Sequence, residues 1–310
     1  MRWMLALCLA FAVSPARAAE MPAWAFPVME KVQPTLPRDD GKPKTMPGSK
    51  ASFTQAQVND ATNPPDWYPD EHPPMPGVVG HGRKEVRACA TCHLPNGLGH
   101  PESANLAGLP AAYIERQLQD FKDGKRKGSD TMTGFAKAIT PEETKAAAAY
   151  FASLKPVRWT HVVETDTVPQ TYVGKGNMRF VRPGGAASEP LAGRIIELPE
   201  DPVRAEARDG HSGFVANVPK GSLAKGEALA KQGGGGKTIA CAICHGADLR
   251  GLGEVPRIAG RSAIYLVRQL ALIQSGERNS EQTALMQAVV KQLSMDDMVA
   301  LAAYVASQTP

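Results

Sequence analysis

The pentapeptide Cys89-Ala-Thr-Cys92-His93 returns as Cys241-Ala-Ile-Cys244-His245, 152 residues later. No other feature restricts the fold so tightly, because the chain must present the same short turn twice. The repeat extends well beyond the pentapeptide. Residues 106–118, from Leu106 through Tyr113, Arg116, Gln117 and Leu118, match residues 258–270, from Ile258 through Tyr265, Arg268, Gln269 and Leu270. Gly124-Lys-Arg126 matches Gly276-Glu-Arg278. Two residues are then inserted and the shift becomes 154, so that Met132 falls on Met286, Ile139 on Leu293, Tyr150 on Tyr304 and Pro156 on Pro310. Self-similarity of this kind means one module used twice.

Each copy reads as helical. Ile114, Leu118 and Phe121 lie at i, i+4, i+7, as do Leu266, Leu270 and Ile273, which is one apolar stripe on a helix. Gly124 and Gly276 stand where glycine ends a helix. Thr140-Pro141-Glu142-Glu143 opens a last helix with an N-cap, a proline at N1 and a capping box. In copy two Ser294 plays the cap, and Asp296 and Asp297 suit the positive end of the helix dipole.

C-x-x-C-H is the attachment signature of c-type haem. Residues i and i+3 of a helical turn face the same way, so both thiols reach the two vinyl groups on one porphyrin edge and form thioethers. The next residue then points its imidazole at the iron. From composition alone, such a pentapeptide is expected about 0.002 times per chain. A zinc site needs about four ligands, and pooling both cysteine pairs into one leaves both histidines unexplained. A thioredoxin-like pair expects a βαβ context, whereas these surroundings are helical. The expected cofactors are therefore two covalently bound haem c groups, on Cys89 and Cys92 and on Cys241 and Cys244, with His93 and His245 as iron ligands.

The sixth ligand decides the chemistry, because methionine opposite histidine gives a closed electron-transfer haem. Of eleven methionines, Met132 and Met286 alone are matched by the repeat and lie between the Gln-Leu helix and the last helix, where a loop brings sulfur to the iron. Met178, Met295 and Met298 read as packing. His72, His81, His100, His161 and His211 have no repeat partners and read as surface or core residues. Tyr113, Tyr265, Tyr150 and Tyr304 read first as core packing and second as haem contacts.

The chain opens like a secretory leader: Arg2, an apolar run from Leu5 to Val13, then Ala16-Arg17-Ala18. Cleavage is expected after Ala18, removing Cys8 and placing the protein in the periplasm. The remaining 33 basic and 31 acidic residues are nearly balanced, which argues against nucleic-acid binding. Residues 19–76 hold twelve prolines, which forbid long helices and central strands, yet their aromatic residues suggest an extended strap over the folded units. Residues 157–219 show short β-prone runs broken by Gly and Pro, which suggests irregular hairpins rather than a third domain. The expected organisation is a leader over 1–18, a strap over 19–76, one domain over 77–156, a joining segment over 157–219 and a second domain over 220–310.

On these motifs the chain resembles tandem class I cytochrome c domains, and in particular the di-haem cytochrome c4 family. The resemblance covers roughly 77–156 and 220–310. It implies a mainly α fold in which the carbonyl of Pro256 accepts the N–H of His245. Ala104 stands at the matching place in copy one, and copy one also lacks a clear helix before its pentapeptide. The implied function is periplasmic electron transfer from a dehydrogenase or respiratory complex to an oxidase or reductase, without catalytic residues. An alternative is a dedicated cytochrome subunit of a dehydrogenase complex. A di-haem peroxidase would need an open iron position, and a thiosulfate dehydrogenase would need a further cysteine that the mature chain lacks. Lys122, Lys125, Arg126 and Lys127 form a basic cluster, read either as a solvated loop or as a guide for an acidic redox partner.

Overall fold

The computed structural model describes residues 21–34, 40–184 and 187–310. The expected leader over 1–18, with Cys8, lies outside them.

Proline keeps most of residues 40–76 extended, but the segment is packed. Its helix α1 (Gln55–Asn59) opens with a capping box between Thr54 and Gln57. Met46, Val58 and Trp67, flanked by Phe53 and Tyr68, close a small apolar cluster with Ala207. The Trp67 ring stands edge-on to Phe53 at 4.8 Å, and its indole N–H donates to the Ala207 carbonyl at 2.8 Å. Further upstream, Ala25 is buried among Ile264, Val267, Val299 and Ala303 of copy two. The Glu30 N–H donates to the Val173 carbonyl at 2.9 Å. The Ala61 carbonyl also accepts the Ala88 N–H at 3.2 Å, so the N-terminal chain touches copy two, the joining segment and copy one.

Copy one comprises α2 (Gly77–Gly80), α3 (Ala90–His93), α4 (Ala111–Lys122), α5 (Asp130–Ala138) and α6 (Pro141–Ser153). The expected stripe of α4 is present: Ile114 and Phe121 are buried and Leu118 is half-buried. The expected capping box opens α6, with Thr140 and Glu143 each accepting the other's backbone N–H. Gly124 follows α4 with φ +71°, a conformation glycine adopts without strain.

The joining segment carries β1 (Thr160–Glu164), β2 (Thr167–Pro169), β3 (Thr171–Val173), β4 (Arg179–Val181), β5 (Ser188–Pro190), β6 (Ile196–Pro199), the short helix α7 (Pro202–Glu206) and β7 (Phe214–Val218). The main sheet runs β1-β7-β6. β1 and β7 are parallel, with Thr160 opposite Phe214, and β6 is antiparallel to β7. β3 and β4 form a local hairpin, while β2 pairs with the more distant β5. The segment is no independent layer. Tyr172, Met178 and Phe180 enter the core of copy one, while Ile195, Ala216 and Val218 enter that of copy two.

Copy two comprises α8 (Ser222–Gln232), α9 (Ala242–His245), α10 (Ala263–Gln274), α11 (Ala284–Val290) and α12 (Met295–Ser307). Long α8 stands where copy one has only α2, as the sequence suggested. Gly226 lets α8 approach α12 closely: a Cβ there would lie 2.0 Å from the Ala300 carbonyl oxygen. The buried carboxylate of Glu197, on β6, accepts from the Ala263 and Ile264 N–H groups and from the Ser262 hydroxyl, so the joining segment caps α10. Ser294 and Asp297 cap α12 as expected. Among the described residues, no helix is long and apolar enough to cross a membrane.

Candidate functional site

Each pentapeptide folds as one helical turn. The His93 N–H donates to the Cys89 carbonyl at 3.0 Å, and the His245 N–H to the Cys241 carbonyl at 2.9 Å. The four cysteines of the two turns form no disulfide. Burial pushes the Cys89 thiol up to about 12 and Cys241 to about 11, and raises Cys92 as well. Both pairs are thus left for thioether attachment rather than for pairing with each other.

The histidines are held alike. The His93 ring contacts the Ala104 carbonyl through Nδ1 at 2.8 Å, and His245 contacts the Pro256 carbonyl through Nδ1 at 2.8 Å. A carbonyl only accepts, so Nδ1 carries the proton and Nε2 keeps its lone pair. Burial lowers both histidine pKa values, which favours the neutral, ligating form. Ala104 thus does what Pro256 does. One local difference remains. Leu94 sits at φ +63°, where copy two has Gly246 at φ +82°. A side chain held there stores roughly 1–3 kcal/mol of strain, and Leu94 is anchored by its burial in the copy-one core.

Cys89, Cys92, His93 and Met132 line one cavity of 910 Å³, near the top of the roughly 300–1,000 Å³ usual for ligand and cofactor pockets. Met132 does not lie in a loop, as the sequence suggested, but in the first turn of α5, where Ser129 accepts its N–H at 3.2 Å. Met286 likewise lies near the start of α11, half-buried against the copy-two core. Ser129 caps α5, whereas α11 continues from the turn Glu281–Thr283 without a side-chain cap. Met298 is buried and Met295 half-buried in copy two, as packing residues.

His72, His81, His161 and His211 face Asp66, Asn63, Glu200 and Glu71 respectively. His100 and Met178 instead line the copy-one cavity. The His100 Nδ1 is buried without a partner among the described residues, and burial pushes its pKa down to about 3.

The copies meet in a seam that repeats their own symmetry. Arg126 donates to the Tyr265 hydroxyl at 2.9 Å and to Gln117 Oε1 at 2.8 Å. Arg278 donates to the Tyr113 hydroxyl at 3.1 Å, to Gln117 Oε1 at 2.7 Å and to Gln269 Oε1 at 2.9 Å. The backbones join alongside, Lys127 N–H to Glu277 O and Asn279 N–H to Lys125 O, both 2.9 Å. Arg268 pairs with Glu102, and Arg257 and Arg261 donate to Asn105. Arg126 is therefore no part of an exposed basic cluster. It is buried between the copies, and only its neighbours Lys122, Lys125 and Lys127 face solvent. Burial would raise the Tyr265 phenol, but the guanidinium groups of Arg126, Arg261 and Arg278 bring it down to about 7. Tyr113 and Tyr265 thus bridge the copies as well as lining the cavity.

This donor set fits haem. In copy one two cysteines, an imidazole whose Nε2 keeps its lone pair and a thioether sulfur line the same cavity. The buried Nε atoms of Arg257, Arg261 and Arg278 have no partner among the described residues, and these guanidinium groups bond to neutral oxygens rather than carboxylates. Of the three, Arg261 lines the copy-one cavity; a buried cation left so favours an anion, which an acidic substituent of haem would supply. The pentapeptides were plain in the sequence. Arg126 and Arg278 recur as matched cations of the repeat, which was the available signal, whereas Arg257 and Arg261 stand where copy one has Asn105 and Leu109.

The cytochrome c family model matches residues 81–155 and 223–309, a little over half of the chain. A thiosulfate dehydrogenase electron acceptor of Thiomonas intermedia is 28% identical over 72% of this chain and 80% of its own length. A cytochrome c4 of Pseudomonas aeruginosa is 25% identical over 74% of this chain and 88% of its own. A solved thiosulfate dehydrogenase of Marichromatium purpuratum superposes with a TM-score of 0.52 at 27% identity, over 76% of this chain but only 39% of that longer one.

Proposed function

The chain belongs to the cytochrome c family, and on that premise we propose that it is an exported di-haem electron acceptor working beside a dehydrogenase. Its cofactors are two covalently bound haem c groups, and it carries electrons rather than converting a substrate. Haem 1 is held by Cys89 and Cys92, with His93 and Met132 on its iron. Haem 2 is held by Cys241 and Cys244, with His245 and Met286. The haem-bearing units are residues 77–156 and 220–310, and removal of residues 1–18 delivers the protein to the periplasm.

The observation that carries this reading is the matched pair of cysteine-histidine turns, each imidazole held by a carbonyl at 2.8 Å. Bound haem supplies one-electron redox chemistry. The chain's own residues do the rest. The Ala104 and Pro256 carbonyls fix the imidazoles and would hold Nε2 of each ring toward a bound iron. Met132 and Met286 would hold the iron from the other side, and a haem so ligated would offer substrate no open position. The buried Tyr, Gln and Arg side chains of the seam hold the two sites in one fixed relation and exclude water between them.

The names of the relatives make thiosulfate dehydrogenase the first partner to test. Ferric protein mixed with that enzyme and thiosulfate should be reduced at both haems, much faster than by thiosulfate alone. Equal rates with and without the enzyme would dismiss this partner. The ligand set has its own test. Replacing Met132 by histidine should lower one haem potential and leave the other nearly unchanged; two unaltered potentials would exclude Met132 as a ligand.

A further inference from the structure

The two haem turns are alike in themselves but not in their surroundings. Thr91, between the copy-one cysteines, is 5% exposed, whereas its repeat partner Ile243 is 69% exposed. His100 lines the copy-one cavity, while its partner Leu252 is 65% exposed. Cys92 is half-buried and Cys244 is exposed. What covers copy one comes from outside the two regions that the family model matches.

The Thr91 hydroxyl donates to the Ala61 carbonyl at 2.8 Å. The Thr91 carbonyl accepts from the Arg208 guanidinium, also at 2.8 Å. Lys175 bonds to Asn59. Asn59, Ala61, Lys175, Glu206 and Arg208 all line the cavity. These residues belong to the N-terminal strap and the joining segment, and the two are clamped together. Trp67 donates to Ala207, Tyr68 bonds to Asp209 at 3.0 Å and stacks on His211 at 3.6 Å, and His211 reaches Glu71 at 2.7 Å. Arg208 is held at φ +59°, a conformation costing a non-glycine residue roughly 1–3 kcal/mol. The clamp thus spends stability to aim one guanidinium at the cysteine turn.

We propose that this clamp caps the thioether edge of haem 1, so that electrons enter and leave the protein through haem 2 and reach haem 1 only across the seam. The added segments make a symmetric pair of carriers into a chain with one port. Ala61 and Arg208 occupy the outer face of the copy-one turn and keep a protein partner from direct contact with it. The copy-two turn keeps Ile243 and Leu252 bare. The inference rests on the di-haem reading above and adds a direction to it.

The test uses the Met286→His variant of the full holoprotein, in which haem 2 is lowered in potential and haem 1 is not. A reduced blue-copper protein is the reductant, too large to pass the cap. If haem 2 is the only port, each electron must first climb to it. Reduction of haem 1 then slows by about tenfold for every 59 mV of the lowering. Opening the cap should restore the rate. The double variants Met286→His/Trp67→Ala and Met286→His/Arg208→Ala should both reduce haem 1 faster than Met286→His alone, with rates linear in copper-protein concentration. The inference is overturned if Met286→His leaves haem 1 as fast as in the parent, or if neither opened variant recovers the rate. Fewer than two haems on the parent chain, or an unaltered haem 2 potential in Met286→His, would instead overturn the reading on which it rests.

Discussion

Replacing Gly226 by alanine sets two effects of known size against each other. Inside a helix the change normally stabilises by up to about 1 kcal/mol, because glycine has more backbone freedom to lose on folding. At Gly226 the added carbon meets the Ala300 carbonyl oxygen at 2.0 Å, the Ala300 carbonyl carbon at 2.7 Å and the Tyr304 Cβ at 2.7 Å. Carbon and oxygen settle no closer than about 3.3 Å even in favourable contacts, so α8 and α12 must part by roughly 1 Å. A gap of that size forfeits up to half of the dispersion attraction along the crossing, where Leu229, Met298, Leu301 and Tyr304 are packed. Backbone on the far side cannot move away as a side chain can. Overpacking of about 1–3 kcal/mol or more therefore outweighs the propensity gain. The net expectation is a destabilisation of about 1–3 kcal/mol, or about 5–20 °C in Tm for a domain of this size. Gly134, in α5, is the control: a Cβ there meets nothing within 4 Å, and the repeat places Ala288 at the matching position. Thermal unfolding of the holoproteins, followed by far-ultraviolet circular dichroism and haem absorbance, should show Gly226→Ala well below the parent and Gly134→Ala at or above it. Gly226→Ala as stable as the parent would refute the close crossing.

Trp67→Ala removes the largest member of the small strap cluster, a change costing about 3–5 kcal/mol in a well-packed core. Because that cluster is separate from both domain cores, hydrogen exchange should accelerate over residues 40–76 while both haem spectra persist; unchanged exchange there would contradict the packing. His72 gives a pH dependence. Its hydrogen bond to Asp66 outweighs burial and raises its pKa above 6.5, so its stabilisation is complete below pH 6.5 and lost as pH rises through the folded value. His72→Phe should lose this slope in urea titrations across that window, and a slope equal to the parent's would show that another group is responsible.

Local chemistry was legible and distant pairing was not. Thr140 with Glu143 announces its helix because a capping box is complete within four residues, and Ser294 ahead of Asp296 and Asp297 does so through its cap and the helix dipole. The apolar spacing of Ile114, Leu118 and Phe121 names a buried face in the same way. The Ala104 carbonyl was foreseeable from its place in the repeat, since a backbone oxygen serves whatever side chain it carries. By contrast, β1 pairs in parallel with β7, and no local alternation records which remote strand is the partner. Arg126 looked like one charge in a basic loop because its phenol partner, Tyr265, belongs to the other copy and its amide partner, Gln117, lies nine residues back. The strap's proline content spoke for extension but not for its path. That path is fixed by contacts such as Trp67 with Ala207 and Thr91 with Ala61, which link segments far apart in the chain.

Intact mass of the purified protein under denaturing conditions tests the central claim most directly. The account predicts a chain beginning after Ala18 and carrying two covalently attached haems, with Cys241→Ser/Cys244→Ser retaining one. A parent chain with fewer than two haems, or a double variant that still holds both, would contradict it.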